Sequence, residues 1–318
     1  ALSALDRLEV RGRDSAGIQL LVTGHGLDLE SPQVQALLDE RRYPFFGSGA
    51  VRTPEGALSF VYKAAAEIGE LGDNTAAIRS AVLGDELLHL ALESPDAWTM
   101  VLGHTRWASV GIISEANAHP QSSEELAAVS ALQRGSTGGD TQPFTTAVLN
   151  GDVDNHADLA AAETLQLPAE VTTDAKVIPV LWSRRLAEGQ DSEVAFRNAV
   201  APMEGSVAIA ANSAARPGEL MLALRGSGQA LYVGLADDAF VIASEPYGVI
   251  EETASYVRMD GETPSDPANA NATRGQIVRL DASAAGSLAG ITRWGYDGAE
   301  LPVAEGDVVS GEVTTRDI

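Results

Sequence analysis

Four short stretches of this chain bring together residue types that could act on one small polar molecule. RLEVRGRDSAG holds Arg11, Gly12, Asp14 and Ser15. GHTRWASVG holds Arg106, Trp107, Ser109 and Val110, and NAHP follows it with Asn117 and His119. LNGDVDNHADL holds Asn150 and Gly151, and TTDAK holds Asp174. A guanidinium offers a planar fork that suits a carboxylate through paired, charge-assisted hydrogen bonds. An aspartate opening a helix can receive an ammonium group. A strand ending in Asn-Gly can aim a side-chain amide and a backbone N–H at one point, as an oxyanion hole requires. Together these describe a site for an amino acid opened at its side-chain amide, which is glutamine. Taken singly, each motif has a plainer reading. Arg-Trp pairs are common surface cation–π contacts, Asn-Gly is a common tight turn, and Asp174 suits a helix N-terminus. His104 and His119 could be structural, and so could His89 on its leucine-rich helix. The joint order of the motifs carries the functional reading.

These groups need elements to position them. Leu2, Leu5 and Leu8 recur at helical spacing, so residues 2–10 read as the tail of an amphipathic helix, and SAGIQLLVTG follows as a buried strand. Residues 32–98 mix short helices with a hairpin around Pro54-Glu55-Gly56. Asp73 or Asn74 would cap one helix there, and DELLHLALES supplies another. TMVLGHTRW and FTTAVLNG read as core strands that deliver Arg106 and Asn150 at their ends. The run from Thr172 reads as a helix capped by Thr172 or Thr173, in which Pro179 demands a kink or a late start. A second helix follows at 191–205, and the last third is strand after strand. Residues 121–142 and 262–275 have loop composition. Strands with helices clustered between them predict stacked antiparallel sheets covered by helices in one α+β domain over 1–318.

Composition narrows the class. With 45% hydrophobic residues the 318-residue chain can bury a sizeable core, and a net charge of -24 argues against nucleic acid and anionic membrane surfaces. There is no cysteine, hence no disulfide or thiolate metal site. No apolar run reaches membrane-spanning length, and a cytoplasmic protein is the expectation. No metal and no cofactor are expected.

In their order, these motifs resemble the glutaminase domain of the class II glutamine amidotransferases, the N-terminal-nucleophile type, and within them the sugar-phosphate aminotransferase branch. The wording RGRDSAG with HTRWAS separates that branch from amidophosphoribosyltransferases and asparagine synthetases. The similarity continues through LRGSGQALYVGLADDAFVIASEPYGVIEETASYVRMDGE, so it touches most of residues 1–281. It implies a four-layer α/β/β/α sandwich of two stacked antiparallel sheets, with an enlarged insertion at about 33–98. It also implies hydrolysis of glutamine to glutamate, with ammonia delivered to an acceptor, fructose 6-phosphate, on a sugar-isomerase (SIS) type synthase domain or subunit, in a homo-oligomer. Carried over residue by residue, Arg106 holds the α-carboxylate and Asp174 the α-ammonium. Asn150 and the Gly151 N–H form the oxyanion hole, and Arg11 orients the nucleophile. Trp107, Ser109, Val110 and His119 line the substrate. Val110 stands where the family has His, and Lys176 where it has Glu. The family's nucleophile is an N-terminal cysteine whose own amine acts as base, lying roughly two dozen residues before Arg11. Ten residues precede Arg11 here. The expectation is therefore a domain lacking its nucleophile-bearing N-terminal strand, the alternative being a glutamine-binding or regulatory module without activity.

Overall fold

The structure, a computed structural model, describes residues 1–41, 46–65, 70–127, 142–264, 266, 268–269 and 272–310, without the Arg11 side chain. Much of the expected loop at 121–142 and the C-terminal TTRDI lie outside the described residues.

Apolar alternation with period two builds three antiparallel sheets. The first has the order β2 (Val51–Arg52), β3 (Leu58–Ala64), β1 (Ser15–Thr23), β4 (Trp98–Arg106). The second has six strands in the order β13 (Ile291–Gly295), β12 (Gln276–Asp281), β8 (Glu219–Arg225), β7 (Val207–Ser213), β6 (Thr145–Gly151), β5 (Gln121–Ser122). The third runs β10 (Phe240–Ala243), β9 (Tyr232–Leu235), β11 (Ser255–Arg258), β14 (Val308–Ser310). Alternation sorts the six-stranded sheet between two cores. Leu149, Val207, Ile209, Met221 and Ala223 face α6 (Val177–Ala187) and α7 (Ser192–Val200), against Ile178, Trp182 and Phe196, with Leu159 of α5 (His156–Ala162) packed at the edge of the same core. Val148, Ala208, Leu222 and Leu224 face the other way, toward Leu102 of β4 and toward Val233 and Val257 of the third sheet. The outer face of the first sheet, with Ile18, Val22, Phe60 and Tyr62, is covered by α1 (Leu2–Leu8), α2 (Pro32–Asp39), α3 (Asp73–Leu83) and α4 (Glu86–Leu92).

The result is the expected α/β/β/α layering, with one difference. One β layer consists of two sheets, because β4 pairs only with β1 and β10 only with β9 among the described residues. Helix α1 spans this division. It packs on β4 and on the turn Pro246–Gly248 that follows β10, and Arg7 forms an ion pair with Glu251. Residues 33–98 are integral to the fold, since β3 lies beside β1 and its apolar face fills the helix-covered core.

A polar row ties the layers together. Asn212 of β7 donates to Gln19 of β1 at 2.9 Å, and Gln19 donates to Ser59 of β3 at 3.0 Å, all three being buried. Local expectations resolve as follows. Pro179 is the third residue of α6, where its missing N–H removes no intrahelical bond, so the helix starts late after a short turn at Asp174–Lys176. The cap of α3 is Gly72, not Asp73 or Asn74. Asn74 is buried and donates to the Arg13 carbonyl at 2.8 Å. His89 is exposed on α4, so it is not a core histidine.

Candidate active site

The four motifs meet at one end of the paired sheets. β4 ends at Arg106, directly opposite Ser15 at the start of β1. Asp14 then holds the following loop by accepting from the Ala108 N–H at 2.8 Å. From that loop Ser109 donates to Asp152 at 2.5 Å, just past the Asn150-Gly151 end of β6. Asp174 accepts from the Val153 N–H at 2.7 Å, which fastens the TTDAK motif to the same turn. Gly111, at φ +84°, lies against Thr172 and Thr173 and closes the ring of motifs.

Arg106 is buried. Its Nη2 donates to the Val110 carbonyl and its Nη1 to the Ile112 carbonyl at 3.5 Å. Burial lowers its pKa, and Asp174 and Asp14 oppose that shift, so the guanidinium sits in the field of both carboxylates. Burial raises Asp174 above the usual carboxylate range, opposed by the Val153 N–H and reinforced by Asp152. Asn150 is half-buried, and its amide has no hydrogen-bond partner among the described residues. Gly151 adopts φ +114°, and a β-carbon there would overlap the Ser206 carbonyl, so only glycine permits this corner. Trp107 is 70% exposed at the mouth. Arg11 ends a short turn after α1, its side chain being outside the described residues.

His119 is placed differently from a ligand-facing residue. It is buried, and both ring nitrogens are engaged by the protein: Nδ1 accepts from the Leu149 N–H at 3.4 Å and Nε2 lies 3.2 Å from Thr173 Oγ1. Its ring packs at 4.6 Å from that of His104. Burial lowers both histidines, His104 to about 4, so both rings are neutral at pH 7.

Several residues around the site were given no role by the sequence motifs. Asn117 accepts from the Thr172 and Thr173 N–H groups at 2.7 and 2.8 Å and so holds the approach to Asp174. Lys63 and Lys176, the only lysines in the sequence, are both buried behind the site. Lys63 donates to the Phe46 carbonyl at 3.1 Å; Lys176 donates to the Ser122 carbonyl at 2.6 Å and sits 4.9 Å from the Phe46 ring centre. Burial lowers them to about 7 and about 8. A two-lysine composition in so acidic a chain was the available signal for this pair. No group of acidic or histidine side chains suited to a metal ion occurs among the described residues. No described helix is long and apolar enough to cross a membrane.

The chain is similar to known proteins in sequence and in fold. No protein-family model matches the chain. Glutamine–fructose-6-phosphate aminotransferase of Bacillus cereus is 28% identical over 259 residues, covering 81% of this chain and 32% of that protein. The same-named protein of Geobacillus kaustophilus is 32% identical over 165 residues, covering 52% of this chain and 24% of the relative. The chain thus spans about a third or less of the length of these curated relatives. Among solved structures, glutamine phosphoribosylpyrophosphate amidotransferase of B. subtilis superposes with a TM-score of 0.53 at 15% identity, covering 93% of this chain and 46% of that one. An allosteric regulatory enzyme of purine biosynthesis gives 0.52 at 16%, covering 93% and 45%. The motif order, the sequence similarity and the shared fold agree in their likeness to class II glutamine amidotransferase domains of the N-terminal-nucleophile type.

Proposed function

We propose that this domain binds glutamine and serves its hydrolysis to glutamate, with the released ammonia passed to an acceptor. The observation that carries the reading is the placement of Arg106 and Asp174 in one another's field beside the Asn150-Gly151 corner. In this reading Arg106 receives the α-carboxylate and Asp174 the α-ammonium. The side-chain carbonyl then lies at Asn150 and the Gly151 N–H, two donors that stabilise the oxyanion formed on attack at the amide carbon. Ammonia leaves, and water releases glutamate from the acyl intermediate. The sequence holds no cysteine, and in this reading the nucleophile is supplied by a strand outside these 318 residues. Among the described residues β4 and β10 each lack a partner on one edge, and α1 packs on β4 and on the turn after β10; this supports a strand between them, which would join the two sheets into one and make 1–318 a single domain with that strand. The acceptor is fructose 6-phosphate on an SIS-type synthase domain or subunit, in a homo-oligomer. The names of the relatives support the choice of fructose 6-phosphate.

Calorimetry with L-glutamate tests the site. Arg106→Ala should weaken binding by about 2–5 kcal/mol, the cost of breaking a buried charge-assisted pair. Unchanged affinity would refute the assignment. A second reading follows from the missing cysteine: a module that binds glutamine without hydrolysing it. Labelling of the full-length protein by a glutamine-analogue electrophile, with glutamine-dependent glucosamine 6-phosphate formation, separates the two.

A further inference from the structure

His119 and Thr173 form a chain of hydrogen bonds between two parts of the site that are far apart in sequence. The Leu149 N–H can only donate, so His119 Nδ1, 3.4 Å from that nitrogen, must be the unprotonated one. The neutral ring then carries its proton on Nε2, which donates to Thr173 Oγ1 at 3.2 Å. The single hydroxyl proton of Thr173 is left for Asp174 Oδ1 at 3.4 Å, while Asp174 Oδ2 is occupied by the Val153 N–H. The Leu149 N–H also reaches the neighbouring His104 ring, whereas the links through Thr173 run in one direction. His119 has room there because Gly17 of β1 lacks a side chain; a β-carbon at Gly17 would overlap the His119 carbonyl. The His104 ring closes the other side.

We propose that His119 and Thr173 are positioning residues that orient the Asp174 carboxylate toward the substrate ammonium and couple it to the strand end bearing Asn150. This rests on the assignment of Asp174 to the α-ammonium. The relay begins at Leu149, one residue before Asn150, so a shift of β6 at the oxyanion corner is transmitted to the ammonium acceptor. Asn117 grips the backbone of residues 172 and 173 independently, so loss of the Thr173 hydroxyl leaves the loop anchored.

The test compares L-glutamate with glutarate, which has both carboxylates and no ammonium, by calorimetry on the unaltered protein, Thr173→Val and Thr173→Ser. Thr173→Val should weaken L-glutamate about 5- to 10-fold, the loss of one hydrogen bond to a charged group, and leave glutarate within about 2-fold. Thr173→Ser should restore the L-glutamate affinity. Equal weakening of both ligands would make the role merely structural, and no change in either would remove it. Nitrogen chemical shifts of the His119 ring test the relay without ligand, and the Nε2–H tautomer is expected. An Nδ1–H ring overturns the relay. If the unaltered protein binds neither ligand, the Asp174 assignment fails, and the ring tautomer still decides whether the relay exists.

Discussion

Replacing Lys63 by methionine keeps an unbranched apolar stem in β3 and removes an amine that burial, with Lys176 and Arg106 nearby, pushes down from 10.5 to about 7 against the pull of Glu115 and Glu124. Between those two values the unfolded chain holds the proton and the folded protein does not. Stability of the unaltered protein therefore rises as pH increases from about 7 toward 10.5, and the burial cost is fully present below that window. The gap corresponds to at most about 5 kcal/mol. Methionine also forfeits the amine's hydrogen bond to the Phe46 carbonyl, worth about 1 kcal/mol. The variant should therefore be more stable than the unaltered protein by about 3–4 kcal/mol at pH 6 and less stable by about 1 kcal/mol at pH 10.5. The two curves should cross between about pH 9 and 10. Urea midpoints at pH 6, 8 and 10.5, with slopes compared to establish that both proteins expose the same surface, provide the measurement. Lys176 also titrates in this range, but it is present in both proteins, so the difference isolates Lys63 and its coupling to that neighbour. A difference that does not change between pH 6 and 10.5 would refute the argument that burial holds Lys63 neutral.

Two further substitutions probe the frame of the site. Gly151→Ala forces a side chain into a left-handed backbone position against the Ser206 carbonyl, and should lower unfolding stability by about 2–4 kcal/mol while abolishing L-glutamate binding. A fully stable variant that still binds would show that the corner can relax. Asn212→Leu leaves the Gln19 carbonyl buried without its donor and should cost about 1–3 kcal/mol in thermal or urea unfolding. Adding Gln19→Leu should recover part of that loss, since the unpaired acceptor is then gone; a strictly additive double variant would contradict the inter-sheet bond.

Sequence alone supplied the candidate chemistry-bearing residues and determined most of the local elements. Arg106 and Asn150 were legible at strand ends because an apolar run breaking into polar residues marks where a buried strand leaves the core. Asp174 was legible because an aspartate after Thr-Thr suits a helix start. The layered fold followed from strand periodicity of two beside helical periodicity, and the family resemblance rested on the same motifs. What only the tertiary structure decided is which neighbours those residues have. Asn117 and His119 differ little on paper, yet one clamps a backbone and the other joins Leu149, 30 residues on, to Thr173, 54 residues on. Lys63 sits in an unremarkable strand, and its depressed amine arises only when β1 and the Phe46 segment help to exclude water from it. The break between β4 and β10 could not be read locally, since either strand looks complete by itself. Hydrophobic pattern and turn chemistry act over a few residues and are written in the chain. Desolvation, hydrogen-bond direction and sheet edges depend on groups brought together from distant segments, and they exist only once the chain has folded.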